Sequence, residues 1–142
     1  MTSTSASGNR KRLLLADDQV AVLQEVRLLL TNDYEIVAEV TDGKSLVEEA
    51  QRLKPDLIVS DISMPEMNGF EAAEKLRALG LTSKLIFLTV QSTSAYLRKA
   101  RRLGAAGYVL KVYAVEQLRQ AVSCVLEGKT YVSPQLETPL KD

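Results

Sequence analysis

Asp56-Leu57-Ile58-Val59-Ser60-Asp61 is a short apolar run that breaks off on a carboxylate. A continuous apolar segment of this length, with Pro55 before it and the loop Asp61 to Gly69 after it, reads as a strand covered on both faces. Arg12 to Ala16, Lys84 to Leu88 and Tyr108 to Leu110 have the same character. Tyr34 to Val40 alternates in part, with Glu35 and Glu39 offering a solvent side, and reads as an edge strand. Between these runs the apolar residues recur at helical spacing: Val22, Leu23, Val26, Leu29 and Leu30; then Leu46, Val47, Ala50 and Leu53; then Phe70, Ala73, Leu76 and Leu79. Leu97, Ala100 and Leu103 form a thinner stripe, and Val115, Leu118, Ala121, Val122, Val125 and Leu126 a fuller one. Asp18 stands where it can cap the first helix. The second helix should end before Lys54-Pro55, and Gly80, Gly104 and Gly128 close the later ones.

Strand and helix thus alternate five times, which implies an α/β fold: a doubly wound, five-stranded parallel sheet with helices on both faces. The chain has 142 residues, enough for one domain with a real core. We expect a disordered polar leader over residues 1–10, the folded domain over 11–128, and a C-terminal tail or the start of a linker over 129–142. The leader lacks the apolar core of a secretory signal, and no apolar stretch reaches the length of a membrane span, so the expected location is cytoplasmic. Lys plus Arg equals Asp plus Glu, 18 of each, so net charge gives no support to nucleic-acid or membrane attraction. The basic group Arg98, Lys99, Arg101 and Arg102 reads as a solvated helix face, and Cys124, the single cysteine, as a small packing residue. There is no histidine, which removes Ser-His-Asp triads, Cys-His pairs and most zinc sites.

The chemistry lies at the strand ends. Asp17-Asp18, Asp61, Thr89 and Lys111 each follow an apolar run, and in an open parallel sheet such positions converge on one crevice. Carboxylates, a hydroxyl and an amine together suit phosphoryl chemistry on a hard divalent cation such as Mg²⁺, which takes oxygen ligands. Taken singly, each has a bland reading: Asp17 or Asp18 as a helix cap, Asp61 as a turn residue, Thr89 as a β-favouring residue and Lys111 as a surface lysine.

Leu14-Leu15-Ala16-Asp17-Asp18, Asp61-Ile62-Ser63-Met64-Pro65-Glu66-Met67-Asn68-Gly69, Leu88-Thr89 and Gly104-Ala105-Ala106-Gly107-Tyr108-Val109-Leu110-Lys111 together resemble the ordered motifs of response regulator receiver domains of two-component systems. The segments Gly107 to Lys111 and Glu127 to Pro134 further resemble the NarL/FixJ subfamily. The resemblance runs from about Arg12 to Gly128 and implies the flavodoxin-like strand order 2-1-3-4-5. It implies that Asp61 accepts a phosphoryl group from a sensor histidine kinase. Asp17, Asp18, Asp61 and the Ser63 backbone carbonyl would hold Mg²⁺, Thr89 and Lys111 would bind the phosphoryl oxygens, and Thr89 with Tyr108 would form the switch, Tyr108 turning inward as Thr89 moves. It also implies a homodimer on phosphorylation and DNA contact only through an output domain outside this chain, with no membrane partner. Such a protein is a switch limited to its own phosphotransfer and autodephosphorylation, not a turnover enzyme.

Departures from the family pattern are Val112 in place of proline after Lys111, the bulky Val90 after Thr89, and Gln91 at a position that tunes phosphate lifetime. Three rival readings are a stand-alone receiver, a small aspartyl-phosphate phosphatase and a dinucleotide or flavin carrier. The phosphatase would favour a second aspartate at position 63, where Ser63 stands; the carrier would need a glycine-rich first turn, where Ala16-Asp17-Asp18-Gln19 stands.

Overall fold

The computed structural model describes residues 10–137. The expected leader lies almost wholly outside them, as does the end of the tail. Strands β1 (Arg12–Ala16), β2 (Glu35–Val40), β3 (Leu57–Ser60), β4 (Lys84–Thr89) and β5 (Gly107–Leu110) alternate with helices α1 (Val20–Leu30), α2 (Gly43–Leu53), α3 (Gly69–Ala78), α4 (Ser94–Arg102) and α5 (Ala114–Leu126). A 3₁₀ turn over Lys111–Tyr113 links β5 to α5. All pairings are parallel, and the order 2-1-3-4-5 holds for the first five strands.

Among the described residues the sheet has six strands, not the expected five. After Gly128, which takes φ +90°, the chain returns to lay β6 (Tyr131–Val132) along β5, and α6 (Pro134–Glu137) follows. The segment read as a tail therefore carries structure. Without it the outer edge of β5 would present unpaired N–H and C=O groups. A two-residue strand has no periodicity to read, which is why the sequence pattern missed it.

Each central strand is apolar through its middle because it is covered on both sides. Leu13 and Leu15 of β1 face one way, into a core with Leu23, Val26 and Leu30 of α1 and Leu118, Ala121 and Val122 of α5. Leu14 and Ala16 face the other way, towards Leu46 and Ala50 of α2, Phe70 and Leu76 of α3, and Leu97 and Ala100 of α4. Not every expected stripe residue is inside: Leu79 is 44% exposed and Val115 60%. Asp18 does not cap α1; the N-cap position is Gln19, without a side-chain bond, and Asp17 Oδ1 accepts from its N–H at 2.9 Å. Cys124 is half-buried. Arg98, Lys99, Arg101 and Arg102 are all exposed, with the Lys99 amine 5.2 Å from the centre of the Phe70 ring. Among the described residues no helix is long and apolar enough to cross a membrane.

Candidate functional site

β1 lies between β2 and β3, so the chain leaves β1 and β3 on opposite sides of the sheet and a crevice opens at their C-terminal ends. Ala16 pairs with Ser60, which sets Asp17 and Asp61 side by side one residue beyond. The backbone enforces this placement: Asp61 N–H donates to the Ala16 carbonyl at 2.9 Å, and Asp17 N–H to the Val40 carbonyl at 3.0 Å. One carboxylate oxygen from each of Asp17, Asp18 and Asp61 lies within 4.8 Å of the others. Asp17 and Asp61 are buried, whereas Asp18 is exposed at the rim.

Lys111, one residue past the end of β5, reaches across β4 to this cluster. Its Nζ is 2.8 Å from Asp17 Oδ2 and 2.8 Å from Asp61 Oδ2. Asp61 Oδ1 accepts from the Ile62 N–H at 2.6 Å. One ammonium is thus shared by two buried carboxylates, and the group as a whole remains negative. Burial pushes the Asp17 carboxyl above its ordinary range; bonds from Lys111 and the Gln19 N–H pull it back only in part, and the Asp61 charge adds to the rise. Burial also works against the Lys111 ammonium, but its bonds to Asp17 and Asp61 outweigh that and raise its pKa. A donor set of hard oxygens carrying unbalanced negative charge fits a small divalent cation.

Thr89 ends β4 with 0% exposure, and its Oγ1 accepts from the Gln91 N–H at 3.2 Å. The Tyr108 hydroxyl donates to the Gln91 carbonyl at 2.7 Å, so the Gln91 backbone ties the two residues together. Tyr108, expected to turn inward only as Thr89 moves, is already inside at 1% exposure. Burial first, then the neighbouring Tyr96 and Asp61, pushes its phenol well above the usual tyrosine range. Val90 is 69% exposed and points away from the core. All peptide bonds among the described residues are trans, including that between Lys111 and Val112.

Ser63 is exposed on the loop after Asp61. The loop closes on itself, since Gly69 N–H donates to the Ile62 carbonyl at 2.6 Å. Two residues that shape it did not stand out in the sequence. A Cβ on Gly69 would sit 2.2 Å from the Asp61 carbonyl oxygen, and one on Gly43 would sit 1.9 Å from the Met67 carbonyl oxygen. Both glycines let backbones approach more closely than any side chain allows. The pattern Asn68-Gly69-Phe70-Glu71 was the readable signal. Asn68 Oδ1 accepts from Glu71 N–H at 2.8 Å and Glu71 Oε1 from Asn68 N–H at 2.9 Å, a capping box that fixes where the loop ends. The structure therefore brings Asp17, Asp18, Asp61 and Lys111 into one cluster, with Thr89 and Ser63 on the adjoining strand end and loop.

The sequence model of the response regulator receiver domain matches residues 13–123. The transcriptional regulatory protein DesR of Bacillus subtilis is 35% identical over 126 residues, covering 87% of this chain and 62% of DesR. A LuxR-family two-component response regulator from Aurantimonas sp. superposes with a TM-score of 0.87 at 30% identity, over 92% of this chain and 94% of that one. A structure of two RcsB dimers bound to two parallel DNAs gives a TM-score of 0.85 at 25% identity, over 94% of this chain and 69% of that one. The chain spans 55%, 62% and 64% of the length of three curated relatives it matches, the first being DegU of Brevibacillus brevis. With this coverage, and with the motifs at the strand ends where they were expected, the chain belongs to the response regulator receiver domains of two-component systems, in the NarL/FixJ-like group.

Proposed function

We propose that Asp61 is the phosphoryl acceptor of a signalling switch. A carboxylate oxygen of Asp61 attacks the phosphorus of a kinase phosphohistidine in line; the new O–P bond forms as the P–N bond breaks, and the imidazole leaves with its electron pair. The observation that carries this reading is the Lys111 ammonium held 2.8 Å from both Asp17 and Asp61. It is a cation already positioned where phosphoryl oxygens would arrive beside two carboxylates.

A phosphoryl group adds nearly two negative charges and three acceptor oxygens. Asp17 and Asp18 would repel it unless that charge is offset. Lys111 neutralises one oxygen, and Thr89 moves to donate its hydroxyl, which now only accepts from the Gln91 N–H, to another. Asp17, Asp18, Asp61 and the Ser63 carbonyl would hold Mg²⁺, which supplies charge neutralisation for the in-line transfer when bound. Because the Gln91 backbone contacts both Thr89 and Tyr108, movement of Thr89 reaches the face formed by α4, β5 and α5 as a shift between two packed arrangements.

The protein in this reading is a switch, not a turnover enzyme, since Ser63 leaves no second aspartate to serve as acid and base. It works with a sensor histidine kinase in the cytoplasm, pairs with a second copy when phosphorylated, and is the receiver part of a longer NarL/FixJ-type regulator that meets DNA through another domain. The RcsB dimers on DNA and the longer relatives support that last step; a stand-alone receiver is the alternative. Incubation with acetyl phosphate should label the chain only when Mg²⁺ is present, and Asp61→Asn should take no label. Equal labelling of that variant would overturn the assignment.

A further inference from the structure

Ser133 has no place in the chemistry above, yet it is 0% exposed and fully bonded. Its N–H donates to the Tyr108 carbonyl at 2.9 Å, and before it Tyr131 N–H donates to the Ala106 carbonyl at 3.0 Å. The strand pairing of β6 with β5 stops at Tyr108 and Val132. At the next rung the side chain takes over: Ser133 Oγ accepts from the Leu110 N–H at 3.0 Å and donates to Gln117 Oε1 at 2.6 Å. Gln117 in turn donates to Gln135 Oε1 at 3.0 Å. Leu136, 3% exposed, anchors α6 in the core that contains Tyr108 and Leu110.

These contacts bracket Lys111. Leu110 precedes it directly, and Gln117 lies on α5, the helix that begins just after the turn Lys111–Tyr113. One hydroxyl therefore fixes both arms of the chain from which the ammonium projects. We propose that Ser133 is a positioning residue for Lys111, so that the β6–α6 segment belongs to the phosphoryl site and is not a passive tail. Removing the hydroxyl leaves the Leu110 N–H buried without a partner, a position the backbone escapes only by moving towards water. Lys111 moves with it and loses its simultaneous hold on Asp17 and Asp61.

The proposal rests on the acceptor reading of Asp61, and the test separates the two. In the full chain, Ser133→Ala should slow Mg²⁺-dependent labelling by acetyl phosphate about fivefold, as small misplacements of reacting groups do. That factor should vanish in a Lys111→Ala background. The Lys111 side-chain ammonium resonance should be visible in the parent, where two carboxylates hold it, lost in Ser133→Ala and kept in Val125→Ala, a buried change near the far end of α5 from Lys111. Should Ser133→Ala not fold, Gln117→Ala is read in the same way, since it also releases one arm. An ammonium resonance kept in the variant, or an equal slowing with and without Lys111, overturns the role of Ser133. If Lys111→Ala takes no label, the resonance alone decides. A parent chain that takes no label at all overturns the acceptor reading, and the resonance then tests the hold of Ser133 on Lys111 by itself.

Discussion

Asp17 is a buried carboxylate whose charge costs the fold stability. Its pKa is raised chiefly by burial, so the folded state binds the proton more tightly than the unfolded chain does. Stability is then fully present below the unfolded value of about 3.9 and falls as pH rises through the raised folded value. Asp17→Asn should raise stability at pH 7, measured by urea unfolding, while weakening Mg²⁺ binding. Mg²⁺ should also raise the unfolding midpoint of the parent at pH 7, and raise it less once Asp17 is protonated and only the other ligands remain. An unchanged or lower stability of the variant would mean that the shared Lys111 bond outweighs burial. The Asp17, Asp61 and Lys111 positions were legible because an apolar run ending on a charge marks a strand end. That one amine would touch both carboxylates was not legible, since it depends on the pairing register of β1, β3, β4 and β5.

The loop between β3 and α3 shows how an element holds a site. Its end is set by the capping box of Asn68 and Glu71, and its path by the close approaches at Gly69 and Gly43. Asn68→Ala should cost about 1 kcal/mol in urea unfolding, as loss of a helix N-cap does, and should weaken Mg²⁺ binding by loosening the loop that carries Ser63. Gly69→Ala is more severe locally, because its Cβ would meet the Asp61 carbonyl at 2.2 Å. It should leave a folded chain by circular dichroism that labels at least about tenfold more slowly, since displaced reacting groups are penalised steeply. Labelling at the parental rate would show that the loop yields without moving Asp61. Periodicity located this loop but not its path, because the close approach of Gly43 to Met67 joins segments that no local pattern links. β6 escaped notice for a related reason: it exists only because β5 has an open edge and because Ser133 and Leu136 are buried against that strand.

At the scale of the whole molecule, two apolar layers on either side of one sheet hold the crevice open, and in the proposed reading a switch acts on surfaces of that body. Phosphorylation should promote pairing of two copies, so sedimentation with Mg²⁺ and beryllofluoride should show a heavier species absent without them. Unchanged mass at high concentration would count against a dimer linked to the switch. The doubly wound plan was readable from the alternation of strand and helix, since covered central strands leave uninterrupted apolar runs. The inward position of Tyr108 was not, because it reflects packing against α4 and the bond to Gln91, which composition does not encode. The central claim, that Asp61 receives the group, is tested most directly by treating the chain with acetyl phosphate and Mg²⁺, reducing the product with borohydride and locating the modified residue by mass spectrometry. Reduction of an aspartyl phosphate should leave homoserine at position 61, and removal of Mg²⁺ should abolish it; modification at another residue, or at Asp61 without the metal, would contradict the account.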